Sequence, residues 1–190
     1  ESEVCSDISG IIHKDIDLVC LNYAPASLVS GVIKTGIPLV IKDGRLHLET
    51  YLKASMETED FLEFSEDFYR IYKEARSLTA EQKERLLVRL QFLDSEIKEV
   101  ASYQMVTFDD YQKDKIKRRG IERWAENILN ATIDIAKITL ASEKKLMPRT
   151  YEEALFNFGF LAGLSETEAR RMSKFANLRN ILAHEYLEIL

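Results

Sequence analysis

The chain has 190 residues, 46% hydrophobic and 31% charged, which suits one domain of ordinary size or two small ones. Seven Gly and three Pro leave few turn formers, so long helices with short connections are expected. No apolar run is long enough to span a membrane and no signal peptide is recognisable, so the expected location is the cytoplasm. Cys5 and Cys20 have no framework spacing and read as free thiols. The three histidines are scattered, so no metal site is expected.

The net charge of −6 argues against a polyanionic partner only if it is spread evenly. It is not. Residues 1–78 carry 8 basic and 14 acidic side chains, whereas residues 107–190 carry 14 and 13. The C-terminal part is balanced and locally basic, which allows one face to meet nucleic acid.

In chain order, Ile16–Leu21 is a short β-prone run, Pro25–Ile33 has helical spacing and stops near Gly36, and Ile37–Ile41 is a second apolar run closed by Asp43-Gly44. This predicts a small β–α–β piece. From about Leu46 the pattern is helical, with helices expected near 47–77, 80–104, 108–144, 151–161 and 166–188. Thr79–Gln82, Thr150–Glu153 and Ser165–Glu168 fit the capping box, and Thr107–Asp110 is a weaker version. A bend is expected at Gly120. The fold class is therefore mainly α: an up-down helical bundle with a small N-terminal β–α–β segment. The boundary is placed between 1–78, an α/β segment ending in a helix, and 79–190, the bundle.

On a wheel of about 100° per residue, Phe175, Leu178, Ile181 and Leu182 of the last helix form one apolar stripe, expected to face the core. Arg179, Asn180, His184 and Tyr186 share the opposite arc, with only the small Ala183 among them. A solvated helix end is the ordinary reading of such an arc, since cations favour the C-terminal dipole. Ala183 nevertheless leaves room for a ligand or another chain to approach closely.

Arg179-Asn180, three residues, His184, one residue and Tyr186 match the Arg-x4-His-x-Tyr motif, and the region resembles HEPN-domain toxin ribonucleases of the HepT-like kind. Tyr151–Ala154, Gly163-Leu164 and Phe175–Arg179 extend the resemblance over roughly 107–190. It implies a metal-independent endoribonuclease without a cofactor, acting on RNA in a groove where two copies of the motif face each other across a homodimer. Arg179 and His184 would be catalytic and Asn180 supporting. His184 has the side-chain type suited to proton transfer near neutrality. Arg179 suits the scissile phosphate and the charge that builds on it. A non-catalytic nucleotide- or RNA-binding module, or one that docks a partner, is the competing reading of the same arc.

Upstream of this arc runs a basic stretch, Lys113 to Arg123. Within it, Lys117, Arg119 and Arg123 are candidate RNA contacts, against the plainer reading of a solvated face with interspersed acids. Trp124 beside them reads as core or interface rather than as a base-stacking platform.

Lys14–Pro25, Val32–Gly36 and Leu39–Asp43 resemble the later half of a minimal nucleotidyltransferase (MNT), in which Asp17 would match the third metal-binding carboxylate. Asp15 and Asp17 as that family's Asp-x-Asp pair is the alternative, but no Gly-Ser precedes them at suitable spacing. The catalytic elements therefore either lie upstream or have decayed, and a nucleotidyltransferase whose catalytic half lies upstream is a third reading. The combined resemblance implies a toxin–antitoxin context. There a nucleotidyltransferase antitoxin, in cis upstream or in trans, would modify Tyr186.

Overall fold

The computed structural model describes residues 2–14, 16–21, 24–74 and 78–184, with the side chains of 2–5, Ala26, Asn180, Ala183 and His184 left aside. Among the described residues there are ten helices and no strand: α1 (Ser2–Ile12), α2 (Ala26–Thr35), α3 (Gly44–Glu74), α4 (Ala80–Lys98), α5 (Val100–Tyr103), α6 (Phe108–Lys113), α7 (Lys115–Ser142), α8 (Tyr151–Leu161), α9 (Glu166–Ser173) and α10 (Phe175–His184). The chain divides into two compact units, 1–58 and 59–190. The second thus includes the C-terminal half of α3.

In the first unit the expected β–α–β piece does not form. Its helix is present as α2, stopped by Gly36, whose N–H donates to the Val32 carbonyl at 2.7 Å. The two apolar runs beside it are irregular. Ile37, Leu39 and Val40 are 86%, 90% and 76% exposed, so they have no sheet neighbours to cover them. Asp43, read as the end of a strand, caps a helix instead: its Oδ1 accepts from Arg45 N (2.9 Å) and Leu46 N (3.1 Å). Asp17 is exposed in an irregular stretch, not presented on a strand, and Asp15 lies outside the described residues. The nucleotidyltransferase-like reading of this segment therefore has no support.

The second unit is a helical bundle, and its capping residues set its helix starts. Thr79 and Gln82, Thr107 and Asp110, and Ser165 and Glu168 form complete capping boxes. Thr150 accepts from Glu153 N, but the Glu153 carboxylate accepts from Arg149 N instead of completing the box. Three long expected helices are interrupted, the one near 80–104 at Glu99, between α4 and α5. The break after α6 falls at Asp114, not Gly120, because the Asp114 carboxylate accepts from Ile116 N and Lys117 N and starts a new helix. The last helix divides at Lys174 into α9 and α10. Between α8 and α9 the chain turns at Gly163 (φ 90°), a left-handed position that suits glycine. A Cβ on Gly159 would come within 3.3 Å of Ala169 Cβ and 3.0 Å of Met172 Cε, so glycine there permits the close approach of α8 and α9.

The core joins Phe64, Phe68 and Ile71 of α3 to Ile133, Ile138 and Leu140 of α7 and Leu155 of α8. Beside it runs a seam of charge. Lys137 Nζ lies 2.8 Å from Asp67 Oδ2 and 3.1 Å from Asp134 Oδ1. From α4, Arg85 reaches Asp67 (2.9 Å) and Arg89 reaches Asp134 (2.7 Å). Burial works to raise the Asp67 carboxyl, but the hydrogen bonds and charges of Arg85 and Lys137 outweigh it and hold Asp67 well below the ordinary 3.8.

Because its folded-state pKa is depressed, Asp67 contributes stability above the unfolded value and loses it as the pH falls through and below that value. Asp67→Asn should cost about 3 kcal/mol at neutral pH, since it strips one carboxylate from the buried Lys137. Urea denaturation across a pH series should show a constant difference from wild type above pH ~5 that shrinks below the ordinary carboxylate pKa of ~3.9.

Candidate active site

α10 packs against α7, α8 and α9, and the side it turns inward is the opposite of the expected one. Phe175, Leu178 and Ile181 are 53%, 36% and 54% exposed, whereas Ala176 is 3% exposed. Arg179 lies on the same side as Ala176, its side chain 14% exposed. Of the stripe read as core, Phe175, Leu178 and Ile181 thus face outward, while Leu182 is half-buried. The polar residue goes in because the bundle offers it acceptors and a ring face, and the small Ala176 one turn earlier lets the helix come close.

Arg179 is held on three sides. Its Nη1 donates to Asp60 Oδ2 at 2.7 Å, from α3. Its Nε donates to Asn130 Oδ1 at 3.4 Å, from α7. Its guanidinium carbon lies 5.0 Å from the centre of the Tyr151 ring, at the start of α8. Tyr151 is fixed in turn: its ring stands edge-on to Phe61 and Phe64, and its hydroxyl donates to the Asp60 carbonyl at 3.0 Å. Burial pushes the Tyr151 phenol up to about 12 against the counteracting charge of Arg179, so it stays protonated at neutral pH.

These residues line a cleft of about 210 Å³ that also includes Glu63, Asp134 and Lys137. A second cleft of about 510 Å³ adjoins it and shares those last three residues, with Arg70, Arg85 and Arg89 along its other side. Among the described residues, no group of three or more His, Cys, Asp or Glu side chains could hold a metal ion. The cleft holds two fixed cations, Lys137 between Asp67 and Asp134 and Arg179 beside Asp60, and can present them to an anion. Asp60 and Asn130 engage Nη1 and Nε, and no described residue bonds Nη2.

Of the residues predicted from sequence, Arg179 lines this cleft. His184 and Asn180 are on the same helix with their side chains undescribed, and Tyr186 lies outside the described residues. Lys117, Arg119 and Arg123 are exposed on α7. Lys117 pairs with Asp110 (3.1 Å) and Arg123 with Glu126 (2.9 Å), while Arg119 has no ion pair among the described residues. At about 100° per residue, Arg119, Arg123 and Asn130 share one stripe of α7 within roughly 20° either side of Asn130, and they span roughly 16 Å of its length. Trp124 is half-buried, as read: its indole N–H donates to the Glu96 carbonyl at 2.6 Å and its ring meets Tyr103 at 5.3 Å. Sequence reasoning missed Asp60 and Asn130 and gave Tyr151 no role. Asp60 directly precedes the aromatic face Phe61, Phe64 and Phe68, which marks an acid at the edge of a core, but its partner is 119 residues away.

A helical bundle whose final helix brings the arginine of an Arg-x4-His-x-Tyr sequence to such a cleft is a HEPN-type domain. The family model described as Ribonuclease HepT-like matches residues 93–189, just over half of the chain, and the chain belongs to that family. No curated protein matches it. No helix among the described residues is long and apolar enough to cross a membrane.

The Asp60–Arg179 pair is partly buried and should show in stability. In a double-mutant cycle of Asp60→Asn and Arg179→Gln by urea denaturation, a coupling energy of about 1 kcal/mol is expected. Strict additivity of the two losses would mean that the pair contributes nothing.

Proposed function

We propose that this chain is a metal-independent endoribonuclease of the HEPN toxin type, cutting RNA in a groove formed across a homodimer. The observation that carries the reading is the fixed Arg179 guanidinium, its Nη2 unengaged among the described residues, in a chain of the HepT-like ribonuclease family. A phosphodiester seated on Nη2 would meet a cation already oriented, so little reorganisation is needed as negative charge builds on the phosphoryl oxygens. His184, five residues further along α10, rises about 7.5 Å beyond Arg179 and is the group assigned to proton transfer. Asn180 beside Arg179 is assigned to orienting the RNA. The catalytic module is placed in 79–190, with Asp60 of α3 completing the hold on Arg179.

The RNA strand would follow α7. Arg119 and Arg123 lie on the stripe that leads to Asn130 and the cleft, and Lys117 near the helix start is a further candidate contact on another side of α7. The exposed stripe Phe175, Leu178 and Ile181 supports the dimer: it is an uncovered apolar surface on the helix that carries the motif. A symmetric interface repeats each patch, so a two-fold axis beside the open side of the Arg179 cleft would set both copies of Arg179 and His184 across one groove.

The test is cleavage of a mixed-sequence single-stranded RNA in EDTA. Wild type should cleave, and Arg179→Ala and His184→Ala should each lower kcat by about 10²-fold or more without unfolding the protein. Full activity in His184→Ala would remove the mechanism. RNA binding without cleavage, once intact mass has excluded an inactivating modification, would favour the non-catalytic module.

Tyr186 is proposed as the control point of a toxin–antitoxin pair, modified with a nucleotide by a separate nucleotidyltransferase. The added phosphate charge would oppose RNA at the groove. Co-expression of such a partner should add nucleotide mass to wild type and weaken RNA binding, with no addition in Tyr186→Phe. Mass that persists in the Phe variant would end this assignment.

A further inference from the structure

An arginine that is already paired offers a phosphate little net charge. Asp60 Oδ2 lies 2.7 Å from Arg179 Nη1, so the two side chains together carry none. An anion that approaches them relies on hydrogen bonds aimed at its oxygens as well as on attraction between charges. Arg179 brings one such donor in Nη2, and a second, uncharged donor comes from α7.

Arg179 Nε donates to Asn130 Oδ1 at 3.4 Å. That contact fixes which way the amide is turned. A guanidinium has donors only, so an asparagine can meet it only through its oxygen. The Nδ2 end of Asn130 is therefore turned away from Nε, and no described residue accepts a hydrogen bond from it. Asn130 is exposed and lines the smaller cleft together with Arg179. Nε and Nη2 are borne by one planar carbon, so the amide and the unengaged Nη2 are neighbours at this cleft. Two adjacent donors suit a group that shows only acceptors to its surroundings, and the non-bridging oxygens of a phosphodiester are such a group. The position along the helix agrees. Arg119 and Arg123 share the stripe of α7 within roughly 20° of Asn130. A strand whose backbone follows those two arginines comes to Asn130 with a phosphate beside Arg179.

We propose that Asn130 is a catalytic residue, whose Nδ2 donates a hydrogen bond to a non-bridging oxygen of the scissile phosphate next to Arg179 Nη2. This rests on the ribonuclease reading above. The bond strengthens as negative charge builds on that oxygen, and Arg179 Nε keeps the amide aimed while it does so. The competing role for the same side chain is that of an acceptor that holds Arg179 and touches no substrate. The two roles use opposite ends of the amide, which makes them separable.

The experiment is steady-state cleavage by the full chain, in EDTA, of a short single-stranded RNA with one mapped cut site. That site carries either an ordinary phosphate or a phosphorothioate, with the Rp and Sp isomers assayed separately. Sulfur is a weaker hydrogen-bond acceptor than oxygen, so wild type should cut one isomer more slowly than the all-oxygen RNA. Asn130→Ala should lose about 10²-fold in kcat on the all-oxygen RNA, with KM little changed. The slowing specific to that isomer should also disappear, because the bond that sulfur weakens is gone. Asn130→Asp keeps an acceptor for Arg179 Nε but has no N–H, and should be as slow as Asn130→Ala. Thermal unfolding of each variant is the folding control, and Asn130→Ala should unfold near the wild-type temperature because alanine favours an exposed helix position. If Asn130→Ala is slow yet keeps the isomer-specific slowing, or if Asn130→Asp cuts at the wild-type rate, the amide only holds Arg179 and this assignment falls. Full kcat in Asn130→Ala, with Arg179→Ala inactive, overturns it as well and leaves the ribonuclease reading standing. If wild type does not cleave RNA, both fall.

Discussion

A guanidinium with only 14% of its side chain exposed has to be given acceptors, and meeting that requirement for Arg179 fixes how four helices converge. Asp60 comes from α3, Asn130 from α7 and the Tyr151 ring from α8, while α10 delivers the arginine itself. By hydrophobicity alone, α10 would turn Phe175, Leu178 and Ile181 to the core. It does the reverse, because a buried cation left without partners costs more than a few exposed apolar side chains. The rest of the site follows from that rotation: Ala176 faces inward to the core, and Phe61 and Phe64 hold the Tyr151 ring. The outward apolar stripe is the other side of the same choice, which links the site chemistry to the surface proposed for a second copy.

The helical elements were readable because their signals are local. The capping residues Thr79, Thr107 and Ser165 act within four residues of chain, and each starts a helix where its pattern says. Asp114 and not Gly120 makes the break, because an aspartate that can accept from two successive N–H groups interrupts a helix more effectively than a glycine inside one. The first forty-five residues misled for a different reason. A short apolar run such as Ile37–Ile41 has strand propensity, but strands are stabilised by partners, and none adjoin it. For the site, Arg179 was found by spacing and family resemblance. The orientation of its helix was not, since it depends on contacts with Asp60 and Asn130, 119 and 49 residues away. A wheel ranks faces by hydropathy and has no means of knowing that a cation's acceptors lie across the bundle.

The attachment of α4 has a consequence for how the molecule resists unfolding. Leu87, Val88, Leu90 and Ile97 on this helix are about half exposed, and it is tied to its neighbours by Arg85–Asp67, Arg89–Asp134 and the Trp124 and Asn127 contacts to Glu96. Such a joint relies on charge and hydrogen bonds beside the packing of Leu86 on the core, and dissolved ions screen charge while neutral solutes do not. Guanidinium chloride is both a denaturant and a salt, and urea is only the first of these. The two will therefore not report one stability for this protein. The ionic denaturant screens the part-exposed Arg89–Asp134 tie of α4 as well as weakening the packing, whereas urea leaves that charge pair unscreened.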